Sequence, residues 1–167
     1  NSRILDIGCG TGVPTLWLAD HFAGTITAID MDRNATEFLQ RRIYERNLQD
    51  RVKVLNLSFL DYKTEGEDFD IIMAEGCLHM IGFESGFVSA IKILKSGGYF
   101  IIHDEYNNHV EKRGIIQKNN CGIIETLYLD ENTWWNEYYR PLEKEIRRLK
   151  DKKLLDLFHG DIQEIEK

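Results

Sequence analysis

The sequence predicts an α/β protein whose largely parallel sheet carries helices on both faces. Short apolar or β-branched runs recur at residues 3–7, 25–29, 51–57, 69–74 and 99–102, and helical periodicity fills most of the intervals between them. Strands that alternate with helices need crossover connections, and crossovers make neighbouring strands parallel. No stretch rich in Gly, Pro or Ser divides the 167 residues, so they read as one domain.

Each element has a local reason. Residues 3–7 are an apolar strand broken only by Asp6. Residues 13–22 place Val13, Leu16, Trp17, Ala19 and Phe22 at helical spacing, with Pro14 in the first turn and Gly24 just past the end. Residues 25–29 form a second strand ending at Asp30. Over 34–46, Ala35, Phe38, Leu39 and Ile43 share one helical face, and Asp32 is placed to cap it. Residues 51–57 alternate as a third strand. Residues 69–74 are apolar apart from Asp70, as a strand buried on both faces should be. A helix is predicted over 86–94, stopped by Lys95-Ser96-Gly97-Gly98, and a fifth strand over 99–102. Residues 107–120 are polar and mixed and suggest no element. Residues 123–129 read as a sixth strand, 134–153 as a long amphipathic helix and 154–167 as a further helix.

Composition narrows the function. Twenty-one Lys and Arg face 28 Asp and Glu, a net charge of −7, which argues against a non-specific nucleic-acid binder that draws its affinity from excess cations. Cys9, Cys77 and Cys121 contain no Cys-x-x-Cys pair, so neither a disulfide framework nor a zinc ribbon is expected, and a reducing, cytoplasmic setting follows. No apolar run approaches the roughly 18 residues that span a bilayer. The chain opens almost directly on a strand, which suggests a piece of a longer protein.

The most informative segment is Leu5-Asp6-Ile7-Gly8-Cys9-Gly10-Thr11-Gly12, a turn between the first strand and first helix. Glycine there permits positive φ and close approach of backbone N–H groups to a ligand, beside a helix N-terminus. The spacing is Gly-x-Gly-x-Gly, with Val13 where a dinucleotide fingerprint has its third glycine, which argues against a nicotinamide-dependent oxidoreductase. Asp30 ends the second strand 22 residues after Gly8, where a carboxylate can accept from both hydroxyls of a ribose. Met31 follows, placed to lie against an adenine ring.

Residues 5–12 resemble the first motif of class I S-adenosylmethionine-dependent methyltransferases. The resemblance continues through Asp30, Ser58-Phe59 with Asp61, Asp68-Phe69-Asp70-Ile71-Ile72 and Leu94-Lys95-Ser96-Gly97-Gly98-Tyr99, in order over residues 3 to 106. The segment from Glu75 to Glu84 and the pattern Trp134, Tyr138, Tyr139, Pro141, Leu142 are similar to prokaryotic ubiquinone-biosynthesis-like small-molecule methyltransferases. The resemblance implies a Rossmann-like three-layer sandwich with strand order 3-2-1-4-5-7-6, the seventh strand absent from this sequence. Truncation is therefore expected at both ends, and with it a lost N-terminal segment of the acceptor pocket.

The resemblance also implies roles. Gly8, Gly10 and Gly12 would line the methionine and ribose portion of S-adenosyl-L-methionine, with Asp6 holding the turn or the amino group. Asp30 would take the ribose hydroxyls, Ser58 and Phe59 would flank adenine, and Asp61 is a second candidate for its amine. Glu75 and Gly76 would sit beneath the sulfonium. By residue type alone, His79 and His103 are the candidate catalytic bases, against a packing role for each. Adjacent His103, Asp104 and Glu105 cannot all reach one ion from a strand, so no metal site is expected. The expected activity is methyl transfer to a small molecule. RNA or protein methylation and a non-catalytic cofactor-binding module are the alternatives. The aromatic group Trp134, Trp135, Tyr138 and Tyr139 reads equally as acceptor cover or core. The basic run from Arg140 to Lys153 reads as a solvated face.

Overall fold

Ile4, Leu5 and Ile7 are wholly buried, so the strand they build, β1 (Arg3–Ile7), occupies the middle of the sheet. The computed structural model describes residues 2–64 and 69–129, with Asn132, Thr133, Asn136 and Arg140. These fall into two units, Asn1–Gly122 and Ile123–Lys167. In the first unit β2 (Thr25–Asp30), β3 (Val52–Asn56), β4 (Phe69–Glu75) and β5 (Leu94–His103) join β1 in the order β3-β2-β1-β4-β5, every pair parallel. The expected 3-2-1-4-5 arrangement is present. β1 hands the chain to β2 on one side and receives β4 on the other, so a crevice opens where the order reverses, beyond the strand C-termini.

Alternation along β1 sorts the two faces. Ile4 packs with Leu16, Leu18 and Ala19 of α1 (Val13–His21) and Leu39 and Ile43 of α2 (Arg33–Glu45). Leu5 and Ile7 pack in a second cluster with Leu78 of α3 (Leu78–Ile81) and Ala90 of α4 (Phe83–Ile91). Asp32 caps α2 as predicted, accepting from the amides of Asn34 at 2.8 Å and Ala35 at 3.3 Å.

Three expectations are corrected. The helix predicted over 86–94 lies earlier, at Phe83–Ile91, and Lys95-Ser96-Gly97-Gly98 is an irregularity within β5. Phe69 pairs with Leu94 and Ile71 with Tyr99, so the extra residues bulge out, helped by Gly97 at φ 77°. The mixed segment 107–120 contains a helix, α5 (His109–Lys118), entered through Asn108 at φ 58°. In the second unit, residues 123–129 form no strand, although their composition is β-favouring. Such side chains specify a pleated surface only where a neighbouring edge supplies hydrogen bonds. The helices predicted over 134–153 and 154–167, with their aromatic group and basic run, lie outside the described residues except for Asn136 and Arg140, the latter helical and exposed.

Charged groups pin the N-terminal edge of the sheet. The Arg3 amide donates to Asp70 Oδ2 at 2.7 Å and Lys95 Nζ to Oδ1 at 2.8 Å, which together hold the Asp70 carboxyl below its ordinary range. Arg51 donates to the carbonyls of Ala19 (3.1 Å), Gly24 (3.3 Å) and Phe22, and so closes the C-terminal end of α1. Arg51→Met keeps the stem and removes these donors. Urea unfolding is expected to show a loss of about 2 kcal/mol, and no loss would mean that water replaces the guanidinium at no cost.

Candidate functional site

The turn after β1 is shaped by three glycines in left-handed backbone, Gly8 at φ 70°, Gly10 at 51° and Gly12 at 84°. Two of them are also closely packed. A Cβ on Gly8 would come within 2.5 Å of Cys77 Cβ, and one on Gly12 within 2.1 Å of Leu39 Cδ1. At Gly10 a Cβ would meet nothing within 4 Å, and the same holds for Gly76 at φ 62°. Open space therefore lies over Gly10 and Gly76, at the crevice the topology creates.

The turn is tied to β2. The amides of Gly8 and Cys9 donate to Ile29 O at 2.8 and 3.1 Å, and the Gly10 amide donates to Asp30 Oδ2 at 2.8 Å. Asp30 Oδ1 accepts from the Asp32 amide at 2.8 Å. Asp30 thus braces the turn, a role the sequence reading missed. Each of its oxygens still has a second lone pair for a ligand hydroxyl.

Asp6 is 1% exposed and accepts from Thr15 Oγ1 at 2.6 Å, which joins β1 to α1. Burial pushes its carboxyl up to about 7. The Thr15 hydrogen bond opposes this, while the Glu75 and Asp30 charges add to it. The Cys77 thiol is pushed up to about 12, mainly by burial and then by Asp6, Asp104 and Asp30. Four carboxylates therefore converge near the ends of β1, β2, β4 and β5. That field favours a cationic ligand over a neutral or anionic one.

The remaining predicted residues divide. Glu75 and His103 are register partners at the ends of β4 and β5, with Oε1 and Nδ1 3.8 Å apart, and the Gly76 amide donates to His103 O at 2.8 Å. His79, on α3, faces Asp104 instead, Nδ1 to Oδ1 at 3.3 Å. His103 ends β5 and Asp104 follows it, and the two have different partners. Met31 is 76% exposed, and Ser58 precedes a single 3₁₀ turn, Phe59–Asp61, whose last residue, Asp61, donates its amide to Ser58 O. The Phe59 ring is buried in the core with Leu5, Ile7 and Ile29, so the flanking role expected of it does not suit its side chain.

A family model for a methyltransferase domain matches residues 4–98, more than half of the chain. The chain belongs to the methyltransferase-domain family. Methyltransferase GfsG of Streptomyces halstedii is 30% identical over 103 residues, which are 61% of this chain and 37% of the relative. A sarcosine/dimethylglycine N-methyltransferase of Aphanothece halophytica is 22% identical over 77% of this chain and 46% of its own. Among solved structures, the [4+2]-cyclase SpnF is 27% identical with TM-score 0.58, covering 61% of this chain and 38% of that one. A solved structure from Methanococcus maripaludis shares the fold with TM-score 0.59 at 24% identity, covering 98% of this chain and 68% of its own. The chain spans between about a third and a half of the curated relatives it matches.

S-adenosylmethionine is the cofactor this family implies, and the residues fit it. Open space over Gly10 and Gly76 leaves room for a ligand, while the carboxylates suit its sulfonium and ammonium groups. Gly12 offers α1 no side-chain cap, so the positive end of that helix is available to the cofactor's carboxylate. Among the described residues no helix is long and apolar enough to cross a membrane.

Asp6 makes stability depend on pH. Near pH 4 the folded carboxyl is protonated. As pH rises from the ordinary 3.8 to about 7 the unfolded chain loses its proton while the folded chain keeps it, so stability falls by up to about 4 kcal/mol. Asp6→Asn cannot ionise. Its stability relative to wild type, from urea unfolding, is expected to rise by roughly 3–4 kcal/mol between pH 4 and pH 8, and a constant difference would remove the buried-acid account.

Proposed function

We propose that the domain transfers a methyl group from S-adenosylmethionine to a small-molecule acceptor. The observation that carries this reading is the meeting of three left-handed glycines with Asp6, Asp30 and Glu75 at the strand ends of a methyltransferase-family domain. The cofactor, when bound, supplies a methyl group on a sulfonium whose leaving group is a neutral thioether. Gly8, Gly10 and Gly12 carry the chain around its methionine and ribose, and Asp6 holds the turn beneath its amino group. Asp30 accepts from the ribose hydroxyls. Met31, Ser58 and Asp61 border adenine, and Glu75 and Gly76 lie beside the sulfonium. Most of the acceleration then comes from holding the acceptor atom in line. His79 or His103 takes the acceptor's proton.

A small-molecule acceptor is supported by the net charge of −7, which disfavours a nucleic-acid partner, and by relatives named for small substrates. A cytoplasmic setting accords with three unpaired cysteines. A second reading, cofactor binding without methyl transfer, is favoured by the solved relative named as a [4+2]-cyclase.

Asp30→Ala removes a charged acceptor and a brace of the turn. Calorimetry with S-adenosylhomocysteine is expected to show binding weakened by about 1–3 kcal/mol, and unchanged affinity would remove Asp30 from the ribose role. Methyl-labelled cofactor incubated with a metabolite extract is expected to place label in a small-molecule product. Label in RNA or protein alone would overturn the acceptor class. Binding with no labelled product in any fraction would favour the second reading.

A further inference from the structure

Asp104 follows β5 with its side chain 5% exposed, and neither oxygen accepts a hydrogen bond from the described residues. A carboxylate so buried is costly unless charges compensate it. Lys112 of α5 does so on one side, with Nζ 3.0 Å from Oδ2. Lys112 is itself fixed. Its Nζ donates to Glu105 O at 2.6 Å and lies 5.5 Å from the Phe83 ring centroid, and its side chain is only 16% exposed. With Oδ2 held by the ammonium, Oδ1 faces His79 Nδ1 at 3.3 Å. Such a contact is of the loose kind that tightens when a reactive complex assembles.

His79 is also placed by the glycine turn. Cys77 starts α3, donates its thiol to Ile7 O at 3.1 Å and packs where a side chain on Gly8 would lie. His79 follows two residues later, and its side chain keeps 40% of its surface open. A neutral imidazole has one proton for two nitrogens, and the partner of one decides the state of the other. An Nε2-protonated ring would turn a lone pair toward the Asp104 carboxylate.

We propose that Asp104, held by Lys112, is a positioning residue that fixes the His79 proton on Nδ1 and leaves Nε2 bare as the proton acceptor for the methyl acceptor. The assignment rests on the methyltransferase reading. As the new bond from acceptor atom to methyl carbon forms, the carbon–sulfur bond breaks with its electron pair going to sulfur. The acceptor's proton passes to Nε2, and Asp104 stabilises the resulting imidazolium through Nδ1–H. The same carboxylate thereby orients the ring before the step and offsets its charge after it.

The test is the tautomer of His79, read without ligand from two-bond ¹H–¹⁵N correlations on ¹⁵N-histidine protein at a pH where the ring is neutral. His79→Gln assigns the signals. Wild type is expected to show protonated Nδ1 and bare Nε2. In Asp104→Asn the amide must give its oxygen to Lys112 and its NH₂ to Nδ1, so the two nitrogens exchange roles. Affinity for S-adenosylhomocysteine is expected to fall by no more than about threefold in that variant, since one of four nearby charges is removed, and a loss of about tenfold or more would move Asp104 into the cofactor site. Protonated Nε2 in wild type, or one tautomer in both proteins, overturns the proposal, and the wild-type spectrum decides even if the variant does not fold. Failure of wild type to bind S-adenosylhomocysteine would instead sink the methyltransferase reading.

Discussion

The turn between β1 and α1 closes only if alternate residues adopt left-handed backbone, and the surrounding elements are built against that turn. L-residues enter this region at a cost of roughly 1–2 kcal/mol, which glycine does not pay. Sterics add to the conformational demand. The volume a side chain would fill at Gly8 belongs to Cys77, and that at Gly12 belongs to Leu39. The missing side chains bring the start of α3 and the buried face of α2 onto the turn, while the Gly10 amide draws in Asp30 from β2. One short segment thus fixes where α2, α3 and β2 meet the junction of β1 and α1.

Electrostatics work against this convergence. Asp6, Asp30, Glu75 and Asp104 stand together at one end of the sheet, and at Asp6 burial, joined by the Glu75 and Asp30 charges, outweighs the Thr15 hydrogen bond. Two backbone amides donate to Asp30, and Lys112 stands beside Asp104. Asp6 faces one hydroxyl and no cation, so its ionised form bears the full penalty of burial. A cation entering the crevice lowers that penalty, so affinity for a cationic ligand draws partly on strain relieved within the protein.

The glycine turn and its neighbour Asp30 were legible because their determinants are local. Three glycines lie within five residues, and Asp30 ends the next strand, so strand and helix periodicity was enough to bring them together. The second function of Asp30 was not legible, since nothing in its spacing says that the Gly10 amide points at it. The Gly97-Gly98 pair misled for a related reason. A helix stop and a bulge need the same left-handed backbone, and only the β4 register distinguishes them. The family resemblance implies a place beside adenine for Phe59, yet a large apolar ring at the edge of a core is drawn inward.

The proposed proton-transfer group is assembled differently, and this is why its parts were not read together. His79 lies on α3, Asp104 just after β5 and Lys112 on α5, three elements that only the fold brings together. Strand alternation, read from sequence, already keeps adjacent His103, Asp104 and Glu105 from sharing one ion. It could not supply Lys112, because α5 is weakly patterned, has no buried residue and begins at a left-handed Asn108. A weakly patterned helix contributes little core, so the side chain it places beside Asp104 is its clearest structural role. Determinants spread in this way can change one element at a time without disturbing the glycine turn. One methyltransferase-type scaffold can thereby present different acceptor sites beside an unchanged cofactor cradle.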